Sequence, residues 1–379
     1  MINVSVTSVY LDHNASAPLK PAVKAAMVQA MDLVGNPSSV HGFGRAVRRA
    51  VEEARGHVAA LAGAKPAQVF FTGSGTEANN LALRGFPGRR VIVSAIEHDS
   101  VLATVPEAPR IPVDRNGVAD LAALERLLAA AEGPALVSLM LANNETGVIQ
   151  PVAEAAAIVH AHGALLHCDA VQAAGRLPLG LAALGADLLT ISAHKIGGPA
   201  GAGALVIAEG LEPEALIRGG GQEKRRRAGT ENVVGLVGFG AAARLALEEL
   251  PAAARLAALR DDLEARALAA VPQARVMGAG AARVGNTSSL ALPGVPGETQ
   301  VMSLDLAGVA VSAGSACSSG KVKPSHVLAA MGEDADTAAS AIRVSLGWDS
   351  DAGAVDRFAA AYTAMGAAMA RRLARVPAV

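Results

Sequence analysis

The sequence predicts an open, mostly parallel α/β sheet in a large domain, followed by a smaller α+β domain. Three observations carry that expectation. From about Val69 to Ile207, short apolar runs alternate with amphipathic segments, the pattern of strands joined by crossover helices. From Asn232 to Ala270 the chain is Ala/Leu/Glu/Arg-rich with helical periodicity, interrupted at Pro251, which reads as a helix pair leaving the large domain. At 379 residues the chain also exceeds the size at which a single core stops growing.

Taken in order, the strand candidates are Val69-Phe70-Phe71, Val91-Ile92-Val93, Leu136 to Leu139, Ala164-Leu165-Leu166, Leu188 to Ile191 and Ala204 to Ile207. Between them lie helical candidates at Glu77 to Leu83, Leu121 to Ala131, and Val152 to His162 closed by Gly163. After Val271 the pattern restarts with shorter strands, Thr287 to Leu292 and Ala341 to Leu346, and a closing helix from Gly353 to Arg375. In open sheets of this kind, ligands bind outside the carboxyl ends of the strands.

The composition excludes several classes of function. Hydrophobic content is 51%, charged content 18% and formal net charge −1, so there is no electrostatic footprint for nucleic acid or a membrane surface. Aromatics are only 2%, which argues against a stacking platform for single strands. Met1 to Tyr10 has no secretory pattern, and each apolar stretch is broken by Gly, Pro or charge before it could span a bilayer. With only Cys168 and Cys317, a disulfide framework is excluded and a reducing, cytoplasmic setting is expected. No Cys/His cluster has zinc-ligand spacing, so no metal is expected; His160 and His162 read as solvent-facing.

The chemistry concentrates at strand ends. Asp169 follows Ala164-Leu165-Leu166, and Ser192-Ala193-His194-Lys195 follows Asp187 to Ile191. A carboxylate at one strand end and an amine at another is the pairing that pyridoxal phosphate needs. Lys holds the aldehyde as a Schiff base, and Asp keeps the pyridine nitrogen protonated. Taken singly, Asp169 could cap a helix and Lys195 could be a solvated loop residue. Phe71-Thr72-Gly73-Ser74-Gly75-Thr76-Glu77 reads as strand, turn and helix start, where an anion is favoured; Thr76 could instead be an N-cap. Ser192 and His194 beside Lys195 could supply further phosphate donors. His98 follows Val91-Ile92-Val93, placed to stack on a planar cofactor or simply to bond its own loop. Asn143 to Gly147 is a turn by composition. Cys317 sits in a Gly/Ser segment where packing gives it no purpose, which suggests a nucleophile, whereas Cys168 reads as a small core residue. Arg343, alone in an apolar strand, requires a carboxylate, either structural or from a substrate.

These motifs together resemble the cysteine desulfurases of the NifS/IscS type, within the class-V aminotransferases and fold-type I pyridoxal phosphate enzymes. The resemblance runs nearly end to end. It includes Tyr10-Leu11-Asp12-His13-Asn14-Ala15, Asn36 to His41, Gly75 to Asn80, Glu97-His98, Asn143 to Gly147, Asp169-Ala170-Val171-Gln172, Ser192 to Lys195, Arg227 to Asn232, Gly314 to Cys317 and Arg343 to Gly347. It implies a large domain over residues 16–255 with a mostly parallel seven-stranded sheet that binds pyridoxal 5′-phosphate. It also implies a small α+β domain over 256–379 carrying the Cys loop, and an N-terminal segment, 1–15, packed against it. Lys195 would hold the cofactor, Asp169 would pair with its ring nitrogen, and His98 would stack over the ring. Gln172 and Asn144 would reach the ring hydroxyl side, Asn144 also lying near the substrate carboxylate. Gly75, Thr76, Ser192 and His194 would surround the phosphate, with Thr230 added from the neighbouring subunit of a homodimer. Arg343 would clamp the carboxylate of L-cysteine, and Cys317, on a long mobile loop, would take the sulfur.

The departures are small: Ser16-Ala17-Pro18 replaces the usual Thr-Thr-Pro, and Lys321 and Lys323 add positive charge after the Cys. The expected reaction gives L-alanine and a Cys317 persulfide for an iron–sulfur scaffold or another acceptor protein. The alternatives are a selenocysteine lyase, a class-V aminotransferase that needs no loop Cys, and a catalytically inactive sulfur-trafficking platform, which would have lost Lys195 or Asp169.

Overall fold

The computed structural model describes residues 8–313 and 324–373. Its central sheet has seven strands. Their spatial order is Val69–Thr72, Gly203–Ile207, Leu188–Ser192, Leu165–Asp169, Ala135–Ser138, Arg90–Ser94 and Arg110–Ile111. Only Gly203–Ile207 runs antiparallel to its neighbours; every other pairing is parallel. All six apolar runs of the sequence are strands of this sheet. The seventh, Arg110–Ile111, is a two-residue edge strand, too short to carry a readable pattern.

Layers on both faces explain why these strands are mostly apolar on both faces, with polar residues gathered chiefly at their ends. Along Val69–Thr72, Phe71 joins a core with Leu139, Leu189 and Phe239, whereas Phe70 joins another with Leu81, Leu136 and Leu188. That is the strand period of two, with both faces buried. Phe239 is fully buried with its ring 6.1 Å from that of Phe71, and truncating it to Ala would cost about 3–5 kcal/mol.

The expected linking helices resolve into two helices with different allegiances. Val233–Glu248 packs on Pro21–Met31 and Gly42–Leu61 and contributes Leu236, Phe239 and Ala246 to the large core. Ala253–Ala270 packs on the closing helix Ala352–Leu373, where Leu263 and Ala267 meet Phe358 and Tyr362. The turn Leu250–Ala252, which holds Pro251, separates them. A second sheet of four antiparallel strands follows, in the order Ser312–Ala313, Ala341–Ser345, Thr287–Ala291 and Arg275–Val276. Val9–Tyr10 lies parallel to Val309–Ala310, and Asp12 bridges Ser345, which ties the start of the chain to this second unit.

Helix ends follow local chemistry. Asp120 caps Leu121–Ala129 by accepting from the Ala123 amide, and Gly163 at φ +65° stops the chain after Val152–Ala161. Both helices end slightly earlier than the apolar pattern suggests. Among the described residues no helix is long and apolar enough to cross a membrane, and no cluster of His, Cys, Asp and Glu could hold a metal ion.

Candidate active site

Thr72, Ser94, Ser138, Asp169 and Ser192 end their strands on one edge of the sheet, and a cleft of about 370 Å³ opens beyond that edge. It is lined by Gly75, Thr76, His98, Asn144, Asp169, Gln172, Ser192, His194, Lys195 and Arg343, among others. Every site residue expected from the sequence is in this cleft except two. Cys317 lies outside the described residues, as do Lys321 and Lys323. Thr230 is exposed and does not line the cleft of its own chain.

Asp169 is the last residue of its strand and is 5% exposed. Its Oδ2 accepts from Asn79 Nδ2 at 2.8 Å and its Oδ1 from the Val171 amide at 2.9 Å. The carboxylate is therefore fixed in direction and supplied with donors despite its burial. Lys195 sits on the short turn Ala193–Lys195 after its strand, with Nζ donating to the main-chain oxygens of Asn14 (2.6 Å) and Ala15 (2.8 Å). Burial first, then repulsion from Arg343 and Arg176, lowers its pKa to about 7. A lysine in that range is a usable base and nucleophile near neutrality. His194 beside it is pushed down to about 4 by burial and by Lys195, so it is neutral.

The turn after Val69–Thr72 is built to receive an anion. Ser74, not Thr76, is the N-cap of Gly75–Arg84, its side chain accepting from the Glu77 amide. Thr76 is thus spared capping duty and lies exposed at the cleft, in the first turn of a ten-residue helix. A Cβ on Gly75 would meet Val171 Cγ2 at 3.1 Å and Ser192 Cβ at 3.3 Å, so the turn is already close against the sheet. Ser192 Oγ is buried without a partner among the described residues, a polar atom able to bond a group in the cleft.

The cleft also holds the polar groups expected to meet the cofactor ring, His98 and Gln172, and the substrate carboxylate, Arg343. His98 caps the short helix Asp99–Leu102, its Nδ1 accepting from the Ser100 amide at 3.1 Å, which leaves the other ring nitrogen available to the cleft. Gln172 donates to the Asn14 oxygen at 3.0 Å, and its own Oε1 accepts from Arg176. Arg343 is buried on Ala341–Ser345, with Nη2 at 2.8 Å from Asp12 Oδ1, Nη1 at 3.2 Å from the Asn144 oxygen, and Nε without a partner among the described residues. The structural acid that an apolar-strand arginine requires is Asp12, and the guanidinium still reaches the cleft.

Several contributors were not singled out by sequence reasoning. Asn79 orients Asp169, and Asn14 receives Lys195 and Gln172 while its side chain holds Thr287 and Asn286. The available signal for Asn79 was a polar residue at an apolar position of an amphipathic helix. Glu145, buried beside Asn144, accepts from Ser325 Oγ at 2.5 Å, and His326 Nε2 lies 3.0 Å from the Glu97 oxygen. These bonds cross between the two units, which no local pattern reveals. Cys168 is fully buried in the large core, and burial raises its thiol well above the ordinary range.

An amine lowered toward neutrality, a fixed carboxylate and an anion-receiving turn with an orphan hydroxyl are the donor set that pyridoxal phosphate requires, and these residues fit it. Comparisons with known proteins agree. The family model described as class-V aminotransferase matches residues 9–358. A cysteine desulfurase from Cereibacter sphaeroides is 46% identical over 364 residues, covering 92% of this chain and 93% of the relative. One from Klebsiella pneumoniae is 44% identical over 349 residues, 89% and 87% of the two chains. The X-ray structure of a NifS-like protein from Rickettsia africae superposes with a TM-score of 0.89 at 36% identity, covering 94% of this chain and 99% of the other. The chain belongs to the class-V aminotransferase family, among its cysteine desulfurases, which use pyridoxal 5′-phosphate.

Proposed function

We propose that this protein removes sulfur from L-cysteine, releasing L-alanine and carrying the sulfur as a persulfide on Cys317. The observation that carries this reading is the cleft itself, in which Lys195, lowered to about 7, shares one space with the fixed carboxylate of Asp169. Pyridoxal phosphate, when bound, supplies an electron sink that makes the substrate Cα–H acidic. Thr76, Ser192 and His194, with the amides beyond Gly75, would hold its phosphate, and Asp169 would face its ring nitrogen. Gln172 and Asn144 would bond its hydroxyl side, and His98 would cover the ring.

Within that frame the residues act as follows. Arg343 binds the substrate carboxylate, its planar donor array matching two oxygens. The free amine of Lys195 takes the Cα proton and later returns a proton to the carbon skeleton. The Cys317 thiolate attacks the substrate sulfur; the Cβ–S bond breaks, the S–S bond forms, and Cβ gains a proton to become the methyl group of alanine. The enzyme acts as a homodimer in which Thr230 reaches the partner's phosphate site. It works in the cytoplasm, and an iron–sulfur scaffold or another acceptor protein collects the sulfur.

The test is product stoichiometry. With L-cysteine and a reductant that releases the persulfide, alanine and sulfide appear in equal amounts. Pyruvate and ammonia in place of alanine, with sulfide still released, would make it a β-lyase, and amino-group exchange with a keto acid would make it an aminotransferase. Rates with selenocysteine far above those with cysteine would reassign the substrate.

A further inference from the structure

Glu223, Lys224 and Arg225 have φ of +44°, +53° and +67°, the only non-glycine residues with positive φ among those described. Three consecutive side chains in the left-handed region are unfavourable and persist only where surrounding contacts over-determine them. The contacts are specific. The Glu223 carboxylate, buried to 9% exposure, accepts from Arg55 Nη1 (2.7 Å) and Nη2 (2.9 Å) and from the Phe71 amide (2.9 Å). The Arg55 guanidinium also lies 4.6 Å over the Phe71 ring. Lys224 donates to the Ala67 oxygen, and Arg226 lies 4.3 Å over the Phe70 ring. One residue on, Arg227 Nε bonds Glu77 Oε1 at 2.9 Å, and Glu77 Oε2 accepts from the Gly73 amide at 2.7 Å.

The strained turn is therefore clamped at one end to the strand Val69–Thr72 and at the other to the anion-receiving turn that this strand launches. Thr230 follows three residues after Arg227, is exposed and does not line the cleft of its own chain. We infer that Glu223 is a positioning residue, which with Arg55 holds the 223–230 segment so that Thr230 is presented to the phosphate site of a second copy of this chain. The inference rests on the proposed cross-subunit role of Thr230. The bidentate, buried pair is what fixes direction, because a planar fork on a carboxylate admits one geometry.

A double-substitution cycle on the full-length protein tests it, read by the dissociation constant for pyridoxal phosphate from absorbance titration and by dimer mass from sedimentation. Thr230→Ala and Glu223→Gln should each weaken cofactor binding about 10-fold. The double variant should bind no more weakly than Thr230→Ala alone, since one residue acts through the other. Additive losses, or normal affinity in Glu223→Gln beside a weakened Thr230→Ala, would overturn the latch while leaving the Thr230 role intact. Normal affinity in Thr230→Ala would remove both. Should Glu223→Gln not fold, Arg55→Lys, which keeps the charge and loses the fork, gives the same comparison.

Discussion

Lys195 Nζ lies 2.6 Å from the main-chain oxygen of Asn14, so the reactive amine is held by a carbonyl and not by a carboxylate. A carbonyl orients the amine without the full charge that would keep it protonated. Burial and the neighbouring Arg343 and Arg176 then lower it to about 7. The neutral amine is the form that reacts with an aldehyde, and it predominates above the pKa. Reconstitution of cofactor-free protein should accelerate as pH rises through 7 and level off near 8. A rate still climbing at pH 9.5 would mean that Lys195 titrates as an ordinary lysine.

Asp169→Asn should preserve shape while removing charge. The side chain can still accept from the Val171 amide, so folding and cofactor retention should persist. The ring nitrogen loses its anionic partner, and kcat should fall roughly 10²–10⁴-fold. Activity within a few-fold of the parent would deny Asp169 its role.

Arg343 donates to Asp12 and the Asn144 oxygen through separate nitrogens, and both bonds come from one planar group. Arg343→Lys keeps the charge but not the geometry. The KM for cysteine should rise about 10–100-fold, the value of one or two charge-assisted bonds, with a smaller change in kcat. Equal losses in kcat with unchanged KM would point to a purely structural arginine.

The parts of this molecule legible in the sequence are those encoded locally. Phe70-Phe71 and Leu188-Leu189 announce strands buried on both faces, and the Gly73 to Glu77 turn announces a helix start. Asp169 and Lys195 announce themselves because each follows such a strand. What escaped depends on chain segments meeting from far away. Asn14 receives Lys195 across 181 positions, and Glu145 meets Ser325 across 180. The cap assignment at Thr76 was open for a smaller reason: Ser74 and Thr76 are both competent N-caps, and backbone dihedrals decide between them. The Glu223 turn was invisible because nothing in Gln-Glu-Lys-Arg signals positive φ.

Arg225 tests the strain at that turn from another direction. It is exposed and held at φ +67°, where a side chain costs about 1 kcal/mol that glycine does not. Arg225→Gly should raise the unfolding midpoint by roughly 1–2 °C. A lowered midpoint would show that the arginine side chain contributes more than its backbone costs.

The two cysteines give the sharpest test of the chemistry. Cys168 is fully buried beside Asp169, and both burial and that negative charge disfavour its thiolate. It is a poor nucleophile by environment. Cys168→Ala should therefore retain most activity and lose only about 1 kcal/mol of stability. Cys317→Ala should still bind pyridoxal phosphate and L-cysteine, because Lys195, Asp169 and Arg343 are untouched. Sulfide release should nonetheless collapse by orders of magnitude, since the group that accepts the sulfur is gone. Mass spectrometry after a brief exposure to cysteine should find the added sulfur on the peptide that contains Cys317. Sulfur on Cys168, or full turnover without Cys317, would overturn the desulfurase mechanism and leave a lyase that expels sulfide directly.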